Sequence, residues 1–554
     1  MKVADLFRRK YLSPEQKKER NRERFLGIIS GTLLAASFPP VPFPFTLLMW
    51  VALVPYLYVL DKKEKLVDIN KFTYLTFFIF NLFTIYWVGG WGAETDPFLM
   101  IAGAVLVFFN PILFLIPSTL FYVSTRLLKS KWISFLLFPF YWVTYEYLYM
   151  ITDASFPWLT LGNGLSYFTS YIQIAEFIGA LGLTVIIVFI NVMLFFVVRE
   201  KIISKKIHIP ALTSTLVLLI VPMIYGVIRI SSYDIPDKKV KVGLIQPNLN
   251  PWKKWETGNI AKLTQLYLDM SKTAVSKGAE LVIWPETALP VYLLDGTHPD
   301  AVQMIMNFTK ENKAFLLSGM PDFNIFFDLQ RAPSDAKHRK GADYSYTTYN
   351  GIMLFQPQTT NIQKYGKMKL VPFGERVPFV DVLPFLGDLI KWEVGISGWN
   401  KGRDTTVFKF SHNGIDSVKM NGLVCFESVY PVFVAKFIQR GAQFISVVTN
   451  DSWYGNSSGP YQHKEIAVLR AVENRRTVVR SANGGISTII DPLGRTIMDT
   501  KMYTRDVLVG DVVLENDITF FTDFPALIPV VSCLISLWVF SMFLLIKLKK
   551  LLKL

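Results

Sequence analysis

The sequence predicts a polytopic α-helical membrane domain joined to an extracytoplasmic α/β domain. The first observation is composition: 51% of the 554 residues are hydrophobic and only 18% are charged, which is too apolar for an ordinary soluble protein. The second is a set of apolar stretches, most of which approach the roughly 20 residues that a helix needs to cross a bilayer. The third is a polar insert at 231–524, where strand-like and helical segments alternate as in layered α/β architecture.

The apolar stretches are interpreted as eight membrane spans. The first, Phe25 to about Phe38, is short and resembles the apolar part of a signal peptide. No clean cleavage site follows it and further spans come at once, so we interpret it as a retained helix. The predicted spans lie at 25–38, 43–60, 72–91, 98–125, 132–151, 171–198, 210–230 and 525–546.

The charge distribution orients these spans. The formal net charge is +15, and its basic residues cluster beside apolar runs, which indicates topology signals rather than a nucleic-acid partner. Every second connection is basic, so both termini are expected in the cytoplasm and the polar insert outside. The predicted division is a basic tail (1–24), a seven-helix domain (25–230), the outer domain (231–524), an eighth span (525–546) and a second basic tail (547–554).

Two carboxylates, Glu146 and Glu176, fall toward the outer ends of predicted spans five and six. Ionisable side chains at membrane depth are costly and often functional. Carboxylates that merely reach the outer interface would produce the same pattern, and the sequence leaves both explanations open.

The outer domain is predicted to alternate strands with helices. A helical apolar period runs through 259–278, and a second helix fits 460–475. Strand-like segments are predicted at 239–248, 280–284, 314–319, 349–355, 423–426, 444–449, 486–490 and 507–513.

Three of the outer segments carry reactive groups: Glu286 after Leu281–Trp284, Lys367 in a Lys-x-x-Leu-Val-Pro-Phe-Gly-Glu run, and Cys425 after Leu423-Val424. Each has an ordinary structural explanation, namely an exposed carboxylate, a surface lysine and a small core residue. The only other cysteine, Cys533, lies in a separate apolar context, which excludes a disulfide framework.

Together, these three side chains would make a complete acyl-transfer site without a histidine. A free thiol has a pKa of about 8.5, so it needs a base to become a nucleophile near neutrality. A carboxylate supplies the base, and an ammonium favours the thiolate and stabilises an oxyanion. Spacing alone does not show that the three side chains converge.

The motifs around these residues resemble those of a known superfamily. Trp-Pro-Glu286, the Lys367 run and Cys-x-Glu427 resemble the Glu-Lys-Cys triad of the nitrilase superfamily, whose fold is an α-β-β-α sandwich. Seven predicted spans before the domain and one after it are similar to the apolipoprotein N-acyltransferase family within that superfamily. Further matching motifs are Phe156-Pro-Trp-Leu-x-Leu-Gly162, Asn450-Asp-Ser-Trp-Tyr-Gly, Gly459-Pro-Tyr-Gln-His463, Arg470-Ala-Val-Glu-Asn474, Asn483-Gly-Gly-Ile-Ser and Asp491-Pro-Leu-Gly-Arg495.

The resemblance implies a role for each matching residue. Cys425 would be the nucleophile, Glu286 the general base and Lys367 the stabiliser of oxyanion and thiolate, with no metal or organic cofactor. The backbone N–H of Phe426 would share the oxyanion role, although Phe426 stands where the family pattern leads us to expect tyrosine. Supporting roles are implied for Glu375 and Glu427, and substrate binding for Trp255, Asn350 and Trp453.

The activity implied by the resemblance is a ping-pong N-acyltransfer in a bacterial inner membrane, with a monomer expected and the catalytic domain in the periplasm. A membrane phospholipid would donate the acyl chain, and a diacylglyceryl apolipoprotein would accept it on its N-terminal amine. The predicted architecture fits, because extracting an acyl chain into water costs roughly 0.8 kcal/mol per CH₂. The alternatives are a membrane-tethered amidohydrolase and a catalytically silent scaffold, which would have no need of Glu286, Lys367 and Cys425 together.

One further stretch, 377–392, is unusually apolar for an exposed loop. Either it forms part of an arm that dips into the bilayer and gates the acyl chains, or it packs on the domain.

Overall fold

The computed structural model describes residues 13–552, except 93–94, 255–257, 339–340, 342, 384, 386–397 and 413–414. Residues 14–231 form helices joined by short connections and 3₁₀ turns. These helices are α1 (Pro14–Ala36), α2 (Val54–Lys62), α3 (Leu66–Ile85), α4 (Pro97–Leu113), α5 (Leu115–Leu128), α6 (Lys131–Ile151), α7 (Thr169–Ile172), α8 (Ala175–Ser204) and α9 (Ile209–Ser231).

Six helical segments of the described chain are long and apolar enough to cross a membrane. They are Phe45–Lys62, Leu66–Gly89, Pro97–Leu128, Ala175–Ser204, Ile209–Ser231 and Leu527–Leu551. Helices also form at the first and fifth predicted spans. However, α1 begins with a polar, charged half, and α6 carries many tyrosines and tryptophans together with Glu146, so neither is among the six. The structure therefore supports an apolar helical region with six such segments.

Local sequence explains where several helices begin and break. Ser13 caps α1 by accepting a hydrogen bond from the Gln16 backbone, and the Gln16 side chain accepts one from Ser13 in return. The long apolar stretch predicted at 98–125 divides into α4 and α5 close to Pro111, because proline removes a helical hydrogen bond.

The remainder of the chain, apart from the C-terminal helix, is an α/β domain with two main sheets. The strands are β1 (Lys239–Gln246), β2 (Leu281–Trp284), β3 (Phe315–Phe326), β4 (Lys337–His338), β5 (Ser345–Gln356), β6 (Thr359–Gly366), β7 (Val407–His412), β8 (Ile415–Asn421), β9 (Leu423–Val424), β10 (Ile445–Thr449), β11 (Val478–Ala482), β12 (Thr488–Ile490), β13 (Thr496–Asp499) and β14 (Asp506–Val513). In the first sheet the strand order is β14-β1-β2-β3-β5-β4, and β6 pairs with β5. In the second sheet the order is β13-β12-β11-β10-β9, and β7 and β8 form a separate hairpin.

Helices cover the outer faces of both sheets. In β2, Leu281 and Ile283 pack into the core between the sheets, whereas Val282 and Trp284 pack toward the helices. Burial on both faces explains why this strand is a continuous apolar run. The helices of the domain and the C-terminal helix are α10 (Ile260–Ser276), α11 (Pro299–Asn312), α12 (Pro431–Gln439), α13 (Ser458–Asn474), α14 (Phe520–Asp523) and α15 (Leu527–Leu551).

The predicted layered α/β arrangement is confirmed, and the two helices predicted in it form as α10 and α13. The strands that the sequence did not indicate are mostly short or polar, namely β4, β6, β7, β8, β11 and β13. The Ser481 hydroxyl joins the two sheets, because it lies 3.1 Å from the Ile245 carbonyl oxygen and 3.0 Å from that of Ile283.

Buried polar contacts attach the α/β domain to the helical region. The Gln462 side chain accepts hydrogen bonds from the indole N–H groups of Trp87 (3.0 Å) and Trp158 (2.7 Å). It also donates to the carbonyls of Pro39 (2.9 Å) and Thr84 (3.1 Å), so all these contacts of one amide lie in the helical region. The two parts therefore share a specific interface and are more than tethered neighbours.

Candidate active site

Cys425 lies at the point where β9 turns into a short 3₁₀ helix, Cys425–Val429. Its backbone φ is +51°, in the left-handed region that a residue with a side chain rarely adopts. The Ser428 hydroxyl donates a 2.9 Å hydrogen bond to the Cys425 carbonyl, and His463 Nε2 lies 3.1 Å from the same oxygen. These contacts help to hold the turn that lifts the thiol off the sheet.

Glu286 follows β2 after Pro285, which ends the strand. Its side chain is buried, and Oε1 accepts a 2.7 Å hydrogen bond from Asn350 Nδ2. No described residue donates a hydrogen bond to its other oxygen, Oε2. On the neighbouring strand, Gly319 fits closely against this turn: a Cβ there would lie 2.7 Å from the Glu286 Cα.

Lys367 follows β6 and is fully buried. Its backbone N–H donates to the Asn350 carbonyl at 2.8 Å, which fixes the start of the loop. Its ammonium lies 2.7 Å from Glu375 Oε1 and 3.5 Å from Glu286 Oε1. Glu375 is oriented in turn by the Val371 N–H, which donates to its Oε2 at 2.8 Å.

Glu286, Lys367 and Cys425 line one cavity of about 110 Å³. The structure thereby brings these three side chains together. Their spacing along the sequence did not show that they converge. The wall of the cavity also includes Leu99, which belongs to α4 in the helical region. The remaining lining residues are Trp252, Thr287, Asn350, Val371, Gly374, Glu375, Trp399, Asn450, Trp453 and Tyr454.

Burial and neighbouring charges determine the proton positions in this cavity. Burial, together with the negative charge of Glu286, raises the pKa of the Cys425 thiol, so the resting sulfur is protonated. Burial also raises the pKa of the Glu286 carboxyl, although Lys367 opposes that shift. Burial disfavours the charged Lys367, but Glu375 and Glu286 outweigh it and raise the pKa of the ammonium. The arrangement suits a proton transfer from the thiol to Glu286 Oε2, which accepts no hydrogen bond from the described part of the chain.

Glu427 does not line the cavity but joins two of the segments that build it. Its Oε1 accepts hydrogen bonds from the Tyr365 hydroxyl and the Met368 N–H, both at 2.7 Å. Its Oε2 accepts a 2.9 Å hydrogen bond from the Val424 N–H. The residue fixes the Lys367 segment against the Cys425 turn, which is a positioning role.

Phe426, where tyrosine was expected, belongs to a buried aromatic cluster. Its ring stacks on Phe156 with centroids 5.7 Å apart and on Trp158 at 6.4 Å, and it meets Tyr430 edge-on at 5.3 Å. Its backbone N–H lies in the first turn of the 3₁₀ helix, where no intrahelical acceptor exists. The missing hydroxyl therefore leaves the backbone donor in place.

The three residues expected to bind substrate have different environments. Asn350 Nδ2 bridges Glu286 and Glu375, to which it donates at 2.7 and 2.9 Å, so this part of the residue orients carboxylates. Trp453 lines the cavity and contacts Trp252 edge-on, with ring centroids 4.7 Å apart. Trp255 lies outside the described residues.

A buried polar cluster beside Cys425 was missed by reasoning from single residues. His463 Nδ1 lies 2.9 Å from Asp451 Oδ1, and the Arg480 guanidinium pairs with Asp451 Oδ2. Ligand-type atoms of Cys425, Asp451 and His463 lie within 4.8 Å of one another, but Arg480 already supplies a cation against this group. The only signal in the sequence was the pair of motifs that contain Asp451 and His463.

The apolar stretch at 377–392 is described only for 377–383 and 385. Phe379, Leu383 and Phe385 expose 46%, 44% and 58% of their surface, which is high for large apolar side chains. The rest of this stretch lies outside the described residues.

Comparison with known proteins identifies both parts of the chain. The family described as "Apolipoprotein N-acyltransferase N-terminal domain" matches residues 30–193, and the family described as "Carbon-nitrogen hydrolase" matches residues 241–516.

Relatives that align along both parts give the same result. The apolipoprotein N-acyltransferase of Chlorobaculum tepidum is 35% identical over 91% of this chain and 93% of its own length. That of Geobacter metallireducens is 30% identical over 90% of this chain and 91% of its own, and that of Rickettsia typhi is 28% identical over 93% and 97%. The chain belongs to the apolipoprotein N-acyltransferase family.

Proposed function

We propose that this protein moves a fatty acyl chain from a membrane phospholipid to the N-terminal amine of a diacylglyceryl-cysteine apolipoprotein. The observation that carries the proposal is the shared cavity of Cys425, Lys367 and Glu286, with α4 residue Leu99 in its wall. A thiol, a base and a cation meet there beside an apolar helix, which suits acyl chemistry on a lipid. Family membership supports the same activity.

In the first half-reaction, the Cys425 sulfur attacks an ester carbonyl of the phospholipid. Glu286 Oε2, which accepts no hydrogen bond from the described residues, takes the thiol proton as the carbon–sulfur bond forms. The Lys367 ammonium and the Phe426 N–H stabilise the oxyanion. Collapse breaks the ester bond, Glu286 returns its proton to the leaving alkoxide, and a lysophospholipid departs from the thioester.

In the second half-reaction, the α-amine of the apolipoprotein attacks the thioester carbonyl. Glu286 accepts a proton from the amine, the carbon–sulfur bond breaks, and Glu286 returns that proton to the departing Cys425 thiolate. The products are an amide on the lipoprotein and free enzyme. Glu375 and Asn350 hold Lys367 and Glu286 in place during both steps.

The membrane setting is part of the proposal. A bacterial inner membrane with eight spans would place 231–524 in the periplasm and both basic tails in the cytoplasm. The six long apolar helices support membrane insertion, and alternation of basic connections supports this orientation. The predicted division at 1–24, 25–230, 231–524, 525–546 and 547–554 follows from it, and we propose a monomer.

Intact-mass measurement of the purified full-length protein with phospholipid alone tests the first half-reaction. One acyl adduct is expected, removable by hydroxylamine and absent from Cys425→Ala. A protein that stays unmodified, or an adduct that persists in Cys425→Ala, would contradict the assignment of the nucleophile.

A membrane-tethered amidohydrolase is the second candidate, favoured by the carbon-nitrogen hydrolase match over residues 241–516. In that case water, not an amine, would release the acyl group. Phospholipid and a diacylglyceryl peptide supplied together distinguish the two. N-acyl peptide supports transfer, whereas free fatty acid without N-acyl peptide supports hydrolysis.

A further inference from the structure

A second cavity, of about 220 Å³, lies behind the loop that carries Lys367. The segment 367–377 contributes different residues to each cavity: Lys367 and Glu375 line the active site, whereas Lys369 and Arg376 line the second cavity. This segment therefore forms the wall between them. The second cavity is smaller than the roughly 300–1,000 Å³ of a pocket for a whole drug-sized ligand, so it suits a headgroup rather than an acyl chain.

Three cations line this space, which we name the cationic cavity: Lys369, Arg376 and Lys401. Lys401 pairs with Asp153, which also accepts a 2.6 Å hydrogen bond from the Phe379 N–H. Lys369 lies over the ring of Tyr430, with its ammonium 5.1 Å from the centroid. Within the described ranges, no carboxylate lies within salt-bridge distance of that ammonium.

Arg376 is a buried cation of this cavity. Its side chain is only 10% exposed; one terminal nitrogen donates to the Trp399 carbonyl at 3.0 Å, and the other pairs with Asp381. Its Nε is buried and has no acceptor among the residues that the structure describes. The contacts with Trp399 and Asp381 hold the charged head of Arg376 at the wall of the cavity.

The charges leave the cationic cavity positive. Its three cations face two carboxylates, Asp153 and Asp381, and both of these already have partners. Burial lowers the pKa of Lys369, and the nearby cations Lys436 and Lys401 add to that shift, so a bound anion would stabilise its charged form. Phosphate oxygens accept several charge-assisted hydrogen bonds at once from lysine and arginine.

The position of the cavity matches the headgroup layer of a bilayer. Ile151, the last residue of α6, lies in its wall beside Asp153. Under the proposed topology, α6 leaves the hydrocarbon there on the side of the α/β domain, where lipid phosphates lie. Only the glycerol backbone separates the phosphate of a glycerophospholipid from its ester carbonyls. Binding of the donor phosphate in the cationic cavity would therefore require one lipid molecule to extend past the segment 367–377, from this cavity to Cys425.

We propose that the cationic cavity binds a phosphate group through Lys369 and Arg376, and that this phosphate is the phosphodiester of the acyl donor. The assignment of the donor rests on the proposed function. Inorganic phosphate offers the same chemistry, so the experiment must separate the two sources.

The test compares two acyl donors, one with and one without a phosphate. Full-length protein is mixed with phosphatidylglycerol or with p-nitrophenyl palmitate, and the rate of acyl-adduct formation on Cys425 is measured by intact mass. In Lys369→Gln we expect a rate about tenfold lower with subsaturating phosphatidylglycerol, because one charge-assisted hydrogen bond to the phosphate is lost. The rate with p-nitrophenyl palmitate should stay the same.

Two further variants complete the comparison. Lys369→Arg should restore most of the phospholipid rate, because it keeps a cation at the site. Lys409→Gln removes an exposed lysine of β7 and should behave as the wild type with both donors. An equal loss with both donors in Lys369→Gln, or no loss with either, would overturn the proposal. If neither donor acylates the wild type, the proposed function itself fails.

Inorganic phosphate identifies the source. If Lys369 binds the lipid phosphodiester, about 10 mM phosphate should compete with phosphatidylglycerol and slow the wild-type reaction with it. The rate with p-nitrophenyl palmitate should stay the same. Two results together would overturn the lipid assignment and assign the site to free phosphate. Lys369→Gln would have the same KM for phosphatidylglycerol as the wild type, and phosphate would inhibit the wild type but not this variant.

Discussion

The helical region and the α/β domain both bury carboxylates, but they use them differently. In α6, Glu146 accepts hydrogen bonds on both oxygens, from the Trp142 indole (3.1 Å), the Leu161 N–H (2.9 Å) and the Thr184 hydroxyl (2.9 Å). In the α/β domain, Glu286 Oε1 contacts Asn350 and Lys367, while no described donor bonds to Oε2.

Glu176 at the start of α8 behaves like Glu146. It pairs with Arg229 of α9 at 3.1 Å and with Arg475 of the α/β domain at 2.7 Å. Both helical carboxylates are thus buried and fully engaged with protein partners, which indicates a structural role. The difference teaches that burial alone does not mark a general base. Glu286, the proposed base, combines burial with an oxygen to which no described residue donates a hydrogen bond.

The largest expected effect comes from replacing Glu286, whose Oε2 is the proposed acceptor of the thiol proton. Glu286→Gln keeps the shape of the side chain but removes its capacity to accept the thiol proton. Acyl-adduct formation on Cys425 should fall by about 10²–10⁴-fold, the usual contribution of a general base. Intact mass after timed mixing with phospholipid measures it, and an unchanged melting temperature shows that the fold is intact. A rate within threefold of wild type would mean that another group is the base.

A smaller loss is expected from moving Glu286 without changing it. In Gly319→Ala, the new Cβ would meet the Glu286 Cα at 2.7 Å and the Pro285 carbonyl oxygen at 2.8 Å, so the turn must shift. Displacements of this kind cost on the order of 10²-fold in rate. Gly258→Ala is the matched control, since its Cβ would meet nothing within 4 Å. Equal rates in the two variants would show that the position of the turn is not critical.

The helical carboxylates should affect stability, not chemistry. Arg475→Met leaves Glu176 with one of its two arginine partners removed in a buried interface, at a cost of about 3–5 kcal/mol. Thermal unfolding in detergent should show a clear fall in melting temperature, while the acylation rate per folded molecule stays unchanged. Arg495→Met, which breaks the surface pair with Asp491, should cost about 1 kcal/mol or less. Similar losses in both variants would argue against a structural role for Glu176.

The smallest expected effect is a shift in the pH dependence of the acylation rate. Burial raises the pKa of Glu286, and only its deprotonated form accepts the thiol proton. The rate should therefore decline, as pH falls, with a midpoint above 4.5, the ordinary value of a glutamate. Tryptophan fluorescence recorded over the same range shows whether the protein remains folded. A midpoint at or below 4.5 would place a different group in control of the rate.

Much of the fold follows from hydrophobic pattern alone, because long apolar runs and continuous apolar strands are local signals. The count of spans does not follow so directly. In α1 and α6, tyrosines, tryptophans and charged residues lower the hydropathy, so length and composition give six segments and the pattern of connections gives eight. Strand β9, predicted at 423–426, has only two residues, and its parallel pairing with β10 is a long-range contact that no local window reveals.

The site was predictable in its members but not in its assembly. Glu286, Lys367 and Cys425 come from separate loops, and only tertiary packing brings these loops to one cavity. His463 and Arg480 carried no local sign of burial, since both pair with Asp451, which is distant from them in sequence. The aromatic packing of Phe426 was equally inaccessible, because Phe156 and Trp158 come from the connection between α6 and α7.

The Gln462 side chain also limits how the enzyme can move. Its amide has four partners in the helical region, two tryptophan donors and two carbonyl acceptors, and these four directions are satisfied in a single orientation. A rocking motion of the α/β domain would break all four at once. These contacts favour a fixed position of the α/β domain, so we expect the two lipid substrates to enter and leave through local movement of loops.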